Sequence, residues 1–397
     1  MPNIEITTHP TGRSPENKFY FGNKTRLLDL TRPKYNKIGK EADYWEFFED
    51  LNDYDYKHYL KFYSSGRCFS IMTNDDRHAQ FVRNMFPVVS DPDDPNEHLS
   101  DWKIIHNTEI DGPPRIFVHL DQKTMLIGGT TFLGEIKKGV FGIISFELPD
   151  EDILPMHCSA FTYKDKYNLM FGLSGTSKTT LSSDPEYGLI SDDEVLWNKN
   201  GIAMIETGCY AKSEGLTPET HSTIFEAVEL AKSRNTLVVE NPGAANARLS
   251  YPLDCVMNAH ISQQQFAHPD NIFFLTMDAQ GIFPPSSKIS GETVRKFFET
   301  GYTSQMPGTE AGTNEIKKIF SPCYGSPFMP RHINVYSDML MEKIKKNNCN
   351  VYLINTGMDP NGKRFPLEFT RNCVKSAIDL DAEDISEVIQ NKLLTLL

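Results

Sequence analysis

No stretch of the chain approaches the roughly 20 consecutive apolar residues that a membrane helix needs. The opening Met1-Pro2-Asn3-Ile4-Glu5-Ile6 lacks the basic and apolar regions of a secretory signal. A cytoplasmic protein that engages no membrane is the expectation. Positive charge is also scarce: 40 Lys and Arg face 53 Asp and Glu, for a formal net charge of -13. Such a surface repels nucleic acid and anionic lipid, so neither is an expected partner, and an anionic small-molecule substrate must be held by a local basic pocket. Close cysteine pairs are missing as well. Cys68, Cys158, Cys209, Cys255, Cys323, Cys349 and Cys373 are odd in number and widely spaced, which argues for reduced thiols over a disulfide framework or a zinc site.

There is no internal repeat and no low-complexity tract. With 397 residues, 39% hydrophobic and 23% charged, the chain can bury one large core or two ordinary ones. The pattern predicts a two-domain α/β protein: a mixed α/β domain over 1–150 and a second over 151–397 in which strands and helices alternate more clearly. Residues 45–64, aromatic and acidic, read as helix, and 78–86 as a short helix. Residues 102–109, 116–120 and 140–146 read as strands, as do the apolar runs 167–172, 271–276 and 351–355. Ile224, Phe225, Val228 and Ala231 share one helical face, as do Met339, Met341 and Ile344. Asp91-Pro92-Asp93-Asp94-Pro95-Asn96 is a turn or exposed loop. A monomer is the simplest assembly.

The strongest local signal is Phe171-Gly172-Leu173-Ser174-Gly175-Thr176-Ser177-Lys178-Thr179-Thr180, directly after an apolar strand-like run. Small residues let successive backbone N–H groups converge on phosphate oxygens, a lysine adds charge at the β- and γ-phosphates, and a following hydroxyl coordinates Mg2+. Ser177 stands where the usual G-x-x-x-x-G-K-[ST] pattern has its last glycine. If that position needs positive φ, serine costs about 1 kcal/mol relative to glycine. Downstream, Asp192-Asp193-Glu194 follows an apolar pair, which suits carboxylates at a strand end facing Mg2+ or Mn2+. By themselves, three acids in a row read better as a solvated turn. Lys137-Lys138 and the lone His157 are ambiguous in the same way, since lysine pairs usually face solvent and single histidines usually pack in a core. Together with Arg13, in Thr11-Gly12-Arg13-Ser14-Pro15, they supply the basic pocket that an acidic protein requires.

In this order these segments resemble ATP-dependent phosphoenolpyruvate carboxykinase. The series also includes Gln80-Phe81-Val82-Arg83-Asn84-Met85-Phe86, Leu126-Ile127-Gly128-Gly129-Thr130, Gly208-Cys209-Tyr210-Ala211-Lys212 and Asn246-Ala247-Arg248. It ends with Phe283-Pro284-Pro285-Ser286-Ser287-Lys288, Gly308-Thr309-Glu310, Asn355-Thr356-Gly357 and Gly362-Lys363-Arg364. The resemblance covers about residues 10 to 380. It implies that the active site lies in the cleft between the two domains, with a phosphate loop on the C-terminal one. It further implies that Lys138, His157 and Asp193 hold Mn2+, with Asp192 beside them, and that Thr179 holds the Mg2+ carried by ATP. Residues 172–180 would cradle the phosphates, and Glu206, Arg248, Arg364 and Thr370 match nucleotide-contacting positions. Arg13 and Arg248 would grip the small anionic substrate, while Lys137 and Lys178 neutralise the phosphoryl group in flight. The family's reaction takes oxaloacetate and ATP to phosphoenolpyruvate, CO2 and ADP.

The sequence departs from the family pattern near substrate and lid. Phe132 stands for a tyrosine, Ser177 for a glycine, Ala311 for an arginine and Gln280 for an aromatic, and the chain is shorter than the family norm. Two further readings therefore stand beside the carboxykinase: a kinase of another small molecule without decarboxylation, and a nucleotide-binding protein with little catalysis.

Overall fold

The computed structural model describes residues 4–6, 15–89, 100–213, 215–244, 247–305, 316–380 and 382–397. The turn proposed at 91–96 lies outside them. The chain is mixed α/β. An eight-stranded sheet built from residues 18–128 has the order Lys37–Ile38, Lys18–Phe21, Arg115–His119, Thr124–Gly128, Trp102–Asn107, Arg67–Thr73, His58–Ser64, Val88–Val89. A second, six-stranded sheet has the order Gly188–Ser191, Cys158–Tyr163, Lys166–Phe171, Asn271–Thr276, Asn350–Asn355, Ser286–Ile289. At its centre Lys166–Phe171, Asn271–Thr276 and Asn350–Asn355 run parallel. Their near-continuous apolar character matches strands covered on both faces.

Three strand expectations hold in that parallel core, and so do those for the strands at Trp102–Asn107 and Arg115–His119 and the helix Asp76–Met85. Two readings are corrected. Residues 45–64 are helical only within Glu41–Asn52, and His58–Ser64 is a strand. Its alternation is visible in the burial of Leu60, Phe62 and Ser64 against the exposure of Tyr59 and Tyr63. Residues 140–146 are not a strand but part of the helix Gly134–Glu147. That helix is buried almost all round, so its apolar run carries no period that separates helix from strand. On the helix Ser222–Ser233 the inner face is Ile224, Ala227, Val228 and Ala231, while Phe225 is exposed. On Ile333–Asn347 the buried positions are Tyr336, Ser337, Leu340 and Lys343, with Met339, Met341 and Ile344 packed at the margin.

The helix Asp76–Met85 starts because the Asp75 side chain accepts from the N–H groups of Arg77 and His78. Its far end docks on strands from the other half of the chain. Asn84 donates to the carbonyls of Thr236 and Ser250 at 2.8 and 3.1 Å. The Gly208 backbone passes so close that a Cβ there would sit 2.2 Å from the Asn84 carbonyl. Arg32 makes a second tie, pairing with Asp29 and donating to the carbonyls of Ser326, Met329 and Arg331.

His78 and His106 pack ring against ring behind the Thr130-Thr131 backbone, tilted by 32° with centroids 4.1 Å apart. Burial, and for His106 also the neighbouring imidazole, pushes both below the ordinary histidine range. The neutral forms are therefore the folded ones. The unfolded chain takes up these protons first, so stability falls as pH drops below about 6.5. Thermal unfolding midpoints measured from pH 7 to 5 should decline, and His106→Asn should flatten that decline even though it lowers the midpoint at pH 7. An equally steep profile in the variant would remove the pair as its source.

Candidate active site

The strand Lys166–Phe171 ends in the Gly172–Ser177 loop, and a short helix, Lys178–Ser182, follows. Thr176 closes the loop on itself, its backbone N–H and hydroxyl both donating to the Leu173 carbonyl at 3.2 and 2.7 Å. Gly175, at φ +87°, forms an open crest with nothing near its Cα face. Ser177 has φ +66° and ψ +25°, so the last loop position does adopt the left-handed conformation that glycine favours.

Four other segments meet beside this loop. The first turn of the Gly134–Glu147 helix brings Lys137 and Lys138, the start of the Cys158–Tyr163 strand brings His157, and the end of the Gly188–Ser191 strand brings Asp192, Asp193 and Glu194. Asp193 is the meeting point. Its Oδ2 lies 3.0 Å from Lys137 Nζ and 2.5 Å from Lys138 Nζ, and its Oδ1 contacts Lys178 Nζ and lies 3.2 Å from His157 Nε2. Lys138 also reaches Glu194 Oε1 at 2.6 Å, and Lys137 reaches Glu206 Oε2 at 2.9 Å. His157 Nδ1 donates to the Tyr324 carbonyl at 2.6 Å, which fixes the tautomer and leaves the Nε2 lone pair facing Asp193.

Burial by itself would raise the Asp193 carboxyl, but the charges of Lys137, Lys138 and Lys178 outweigh it and hold the group well below its ordinary range. The two adjacent lysines diverge. Burial is overcome at Lys137 by Asp193 and Glu206, and the ammonium is held well above its usual value. At Lys138 burial wins, aided by the charge of Lys137, and the amine is lowered. Burial also brings His157 down to about 4. The site thus holds one firmly charged lysine beside an amine and an imidazole that are pushed towards their neutral, donor forms.

A cleft of about 890 Å3 opens over this cluster. It is lined by Lys138, His157, Gly172, Leu173, Ser174, Gly175, Ser177, Lys178, Thr179, Thr180, Asp192, Asp193, Arg248 and Arg364. Lys137, Thr176, Glu206 and Thr370 do not line it. Glu206 is fully buried behind Lys137, its Oε2 2.9 Å from that Nζ, a place that offers no surface to a nucleotide, and burial pushes its carboxyl well above the ordinary range although the charge of Lys137 opposes the rise. Thr370 is buried on the helix Leu367–Asp379, where its hydroxyl bonds the Pro366 carbonyl. Phe132 is buried with its ring against Gly134. Arg13, Asn246 and Ala311 lie outside the described residues. Sequence reasoning missed the Tyr324 carbonyl, the cleft-lining Lys18, Lys34 and Lys212, and the buried Glu240.

A glycine-rich loop opening a helix, set against a carboxylate that gathers three lysines and an imidazole, defines an α/β protein built to receive an anionic, phosphate-bearing ligand. A family model described as phosphoenolpyruvate carboxykinase matches residues 3–394. Proteins of Staphylococcus aureus strains Newman, JH1 and N315, each named phosphoenolpyruvate carboxykinase (ATP), are 36% identical over 400 residues, covering 93% of this chain and 75% of theirs. The chain belongs to the phosphoenolpyruvate carboxykinase family.

The left-handed serine gives a direct test. Ser177→Gly should raise stability by roughly 0.5 to 1 kcal/mol and Ser177→Val should lower it by about 1 to 2 kcal/mol, read from denaturant midpoints. Equal midpoints for the three proteins would contradict strain at this position.

Proposed function

We propose that this protein is an ATP-dependent phosphoenolpyruvate carboxykinase, converting oxaloacetate and ATP to phosphoenolpyruvate, CO2 and ADP. The observation that carries the reading is the convergence of Lys137, Lys138, His157 and Lys178 on Asp193 at the foot of the phosphate loop, in a chain matched by the family from residue 3 to 394. Breaking the bond between C3 and C4 of oxaloacetate releases CO2 and leaves the enolate of pyruvate. The enolate oxygen then attacks the γ-phosphorus of ATP and ADP departs, so that no external oxidant or proton is required.

Residues 172–180 are the proposed cradle for the ATP phosphates, with the Thr179 hydroxyl at the position for the nucleotide's Mg2+. Lys138, His157 and Asp193 are the proposed ligands of Mn2+. The donor set fits: an amine lowered by burial, an imidazole anchored through its other nitrogen, and a carboxylate held ionised. Among the described residues no group of three His, Cys, Asp or Glu side chains is placed to hold a metal. When bound, the two divalent cations supply positive charge against the developing charge of the enolate and the phosphoryl group.

Lys137 and Lys178 remain as fixed cations beside the transferred phosphoryl, where preorganised charge is most of what a protein contributes to such a transfer. Arg248, stacked over the Tyr210 ring at 5.0 Å, presents its guanidinium to the cleft for the small substrate's carboxylate. Arg364, exposed and lining the same cleft, is the proposed nucleotide contact. The reading includes a cytoplasmic address, supported by seven cysteines that form no disulfide; among the described residues no helix is long and apolar enough to cross a membrane.

Purified protein given ATP, Mn2+, Mg2+ and oxaloacetate should form phosphoenolpyruvate, and Asp193→Asn should reduce turnover by about 10³-fold or more. No phosphoenolpyruvate from wild-type protein that ATP and Mn2+ still protect against thermal unfolding would sink the decarboxylating reaction and leave a kinase of another acceptor.

A further inference from the structure

Glu240 ends the strand Val238–Glu240 and has no exposed surface. A carboxylate so placed is costly unless its oxygens are bonded. Both are. One accepts the Leu133 backbone N–H at 2.8 Å, and the other accepts the Tyr210 hydroxyl. Leu133 is the first residue before the Gly134–Glu147 helix, which has no side-chain cap of its own. Glu240 therefore supplies, from 107 residues away, the side-chain acceptor that this helix start lacks, and adds its charge to that of Glu135 in the first turn.

The second bond leads to the other wall of the cleft. Tyr210 carries the Arg248 guanidinium on its ring face and accepts from it through its own carbonyl at 3.5 Å. Arg248 is also the direct cross-strand partner of Glu240, so the two side chains leave the sheet on the same face. Burial raises the Glu240 carboxyl, while Tyr210, Leu133 and the charge of Arg248 oppose that rise. One buried carboxylate thus touches the turn that carries Lys137 and Lys138 and the platform that carries Arg248.

We infer that Glu240 is a positioning residue that sets the spacing between the Lys137–Lys138 turn and the Arg248–Tyr210 platform, and so sets the affinity of the cleft for a small dicarboxylate. The inference rests on the placement of the anionic substrate at Arg248 in the proposed reaction. Glu240→Gln keeps the shape but removes the charge and one acceptor. Tyr210→Phe removes one bond and leaves the carboxylate in place.

The test measures binding of oxalate, a dicarboxylate that is not turned over, and of ATP by calorimetry with Mn2+ present, alongside KM and kcat for oxaloacetate. Glu240→Gln should weaken oxalate by about tenfold or more and raise KM similarly, with ATP affinity held within about twofold, as expected when only the substrate wall moves. Glu240→Gln and Tyr210→Phe should be non-additive, because they break the same link. A folded Glu240→Gln protein with unchanged oxalate affinity overturns the inference. So does equal weakening of oxalate and ATP, which a merely loosened fold would give. If Glu240→Gln fails to fold, Tyr210→Phe carries the same comparison. A wild-type protein that binds oxalate and responds as described, yet forms no phosphoenolpyruvate, counts against the carboxykinase reading and leaves Glu240 standing. Wild-type protein that binds no oxalate overturns both the anion grip and the role of Glu240.

Discussion

The site depends on one carboxylate. Asp193 is shared by Lys137, Lys138, Lys178 and His157, all of them largely removed from solvent. Taking several amines out of water costs several kcal/mol each unless charge and hydrogen bonds replace the lost solvation. Glu194 and Glu206 extend that compensation, and both are fully buried. The acidic strand end and the basic helix turn are therefore each tolerable only because of the other. That mutual need fixes their spacing more tightly than apolar packing would, since charge pairs of this kind tolerate neither a lost partner nor a solvent gap.

Around this cluster the chain is tied by polar contacts of long sequence separation. Arg32 reaches the carbonyls of Ser326, Met329 and Arg331, in the segment that begins just after Tyr324, whose own carbonyl orients His157. Asp29 is held below its ordinary range there: burial acts in the opposite direction, but the Thr31 hydroxyl and Arg32 outweigh it. Asn84 bonds the carbonyls of Thr236 and Ser250, and Glu240 bonds Leu133 and Tyr210. The ties made by Arg32, by Asn84 and by Glu240 to Leu133 each span more than a hundred residues of chain, and the one from Glu240 to Tyr210 spans 30. The cleft is thus framed by bonds whose partners are remote in sequence, and such bonds leave little local signature.

This explains what the sequence disclosed. The phosphate-loop segment stood out by itself, because phosphate chemistry demands particular residue types at short spacing, whereas the lysine pair, the histidine and the acid run were each ambiguous alone and were singled out only by their order along the chain; Lys138, His157, Asp192 and Asp193 line the same cleft as that loop. The strands Asn271–Thr276 and Asn350–Asn355 were legible because doubly covered parallel strands are short apolar runs. Residues 140–146 were misread because Val140, Phe141, Ile143 and Ile144 are buried together on a helix enclosed on every side, where period is erased. Residues 58–64 could have been found from alternation, had the aromatic and acidic composition not been extended past Asn52. Glu240 and the Tyr324 carbonyl were invisible, because nothing near them in the sequence marks them as partners of Leu133 or His157.

The two lysines of the Gly134–Glu147 turn carry the argument furthest. They are neighbours in sequence and share Asp193, yet their amines shift in opposite directions. Lys137 turns inward between Asp193 and Glu206, whereas Lys138 meets Asp193 and Glu194 at the cleft wall with the charge of Lys137 behind it. Because consecutive helix positions point about 100° apart, identical side chains sample different fields. One is set as a permanent cation and the other is driven towards a neutral donor, and groups separated in this way are how one site divides roles between like residues. The difference resides in the carboxylates each amine meets and not in the Lys-Lys dipeptide, which is why the dipeptide alone could be read as an ordinary solvated pair.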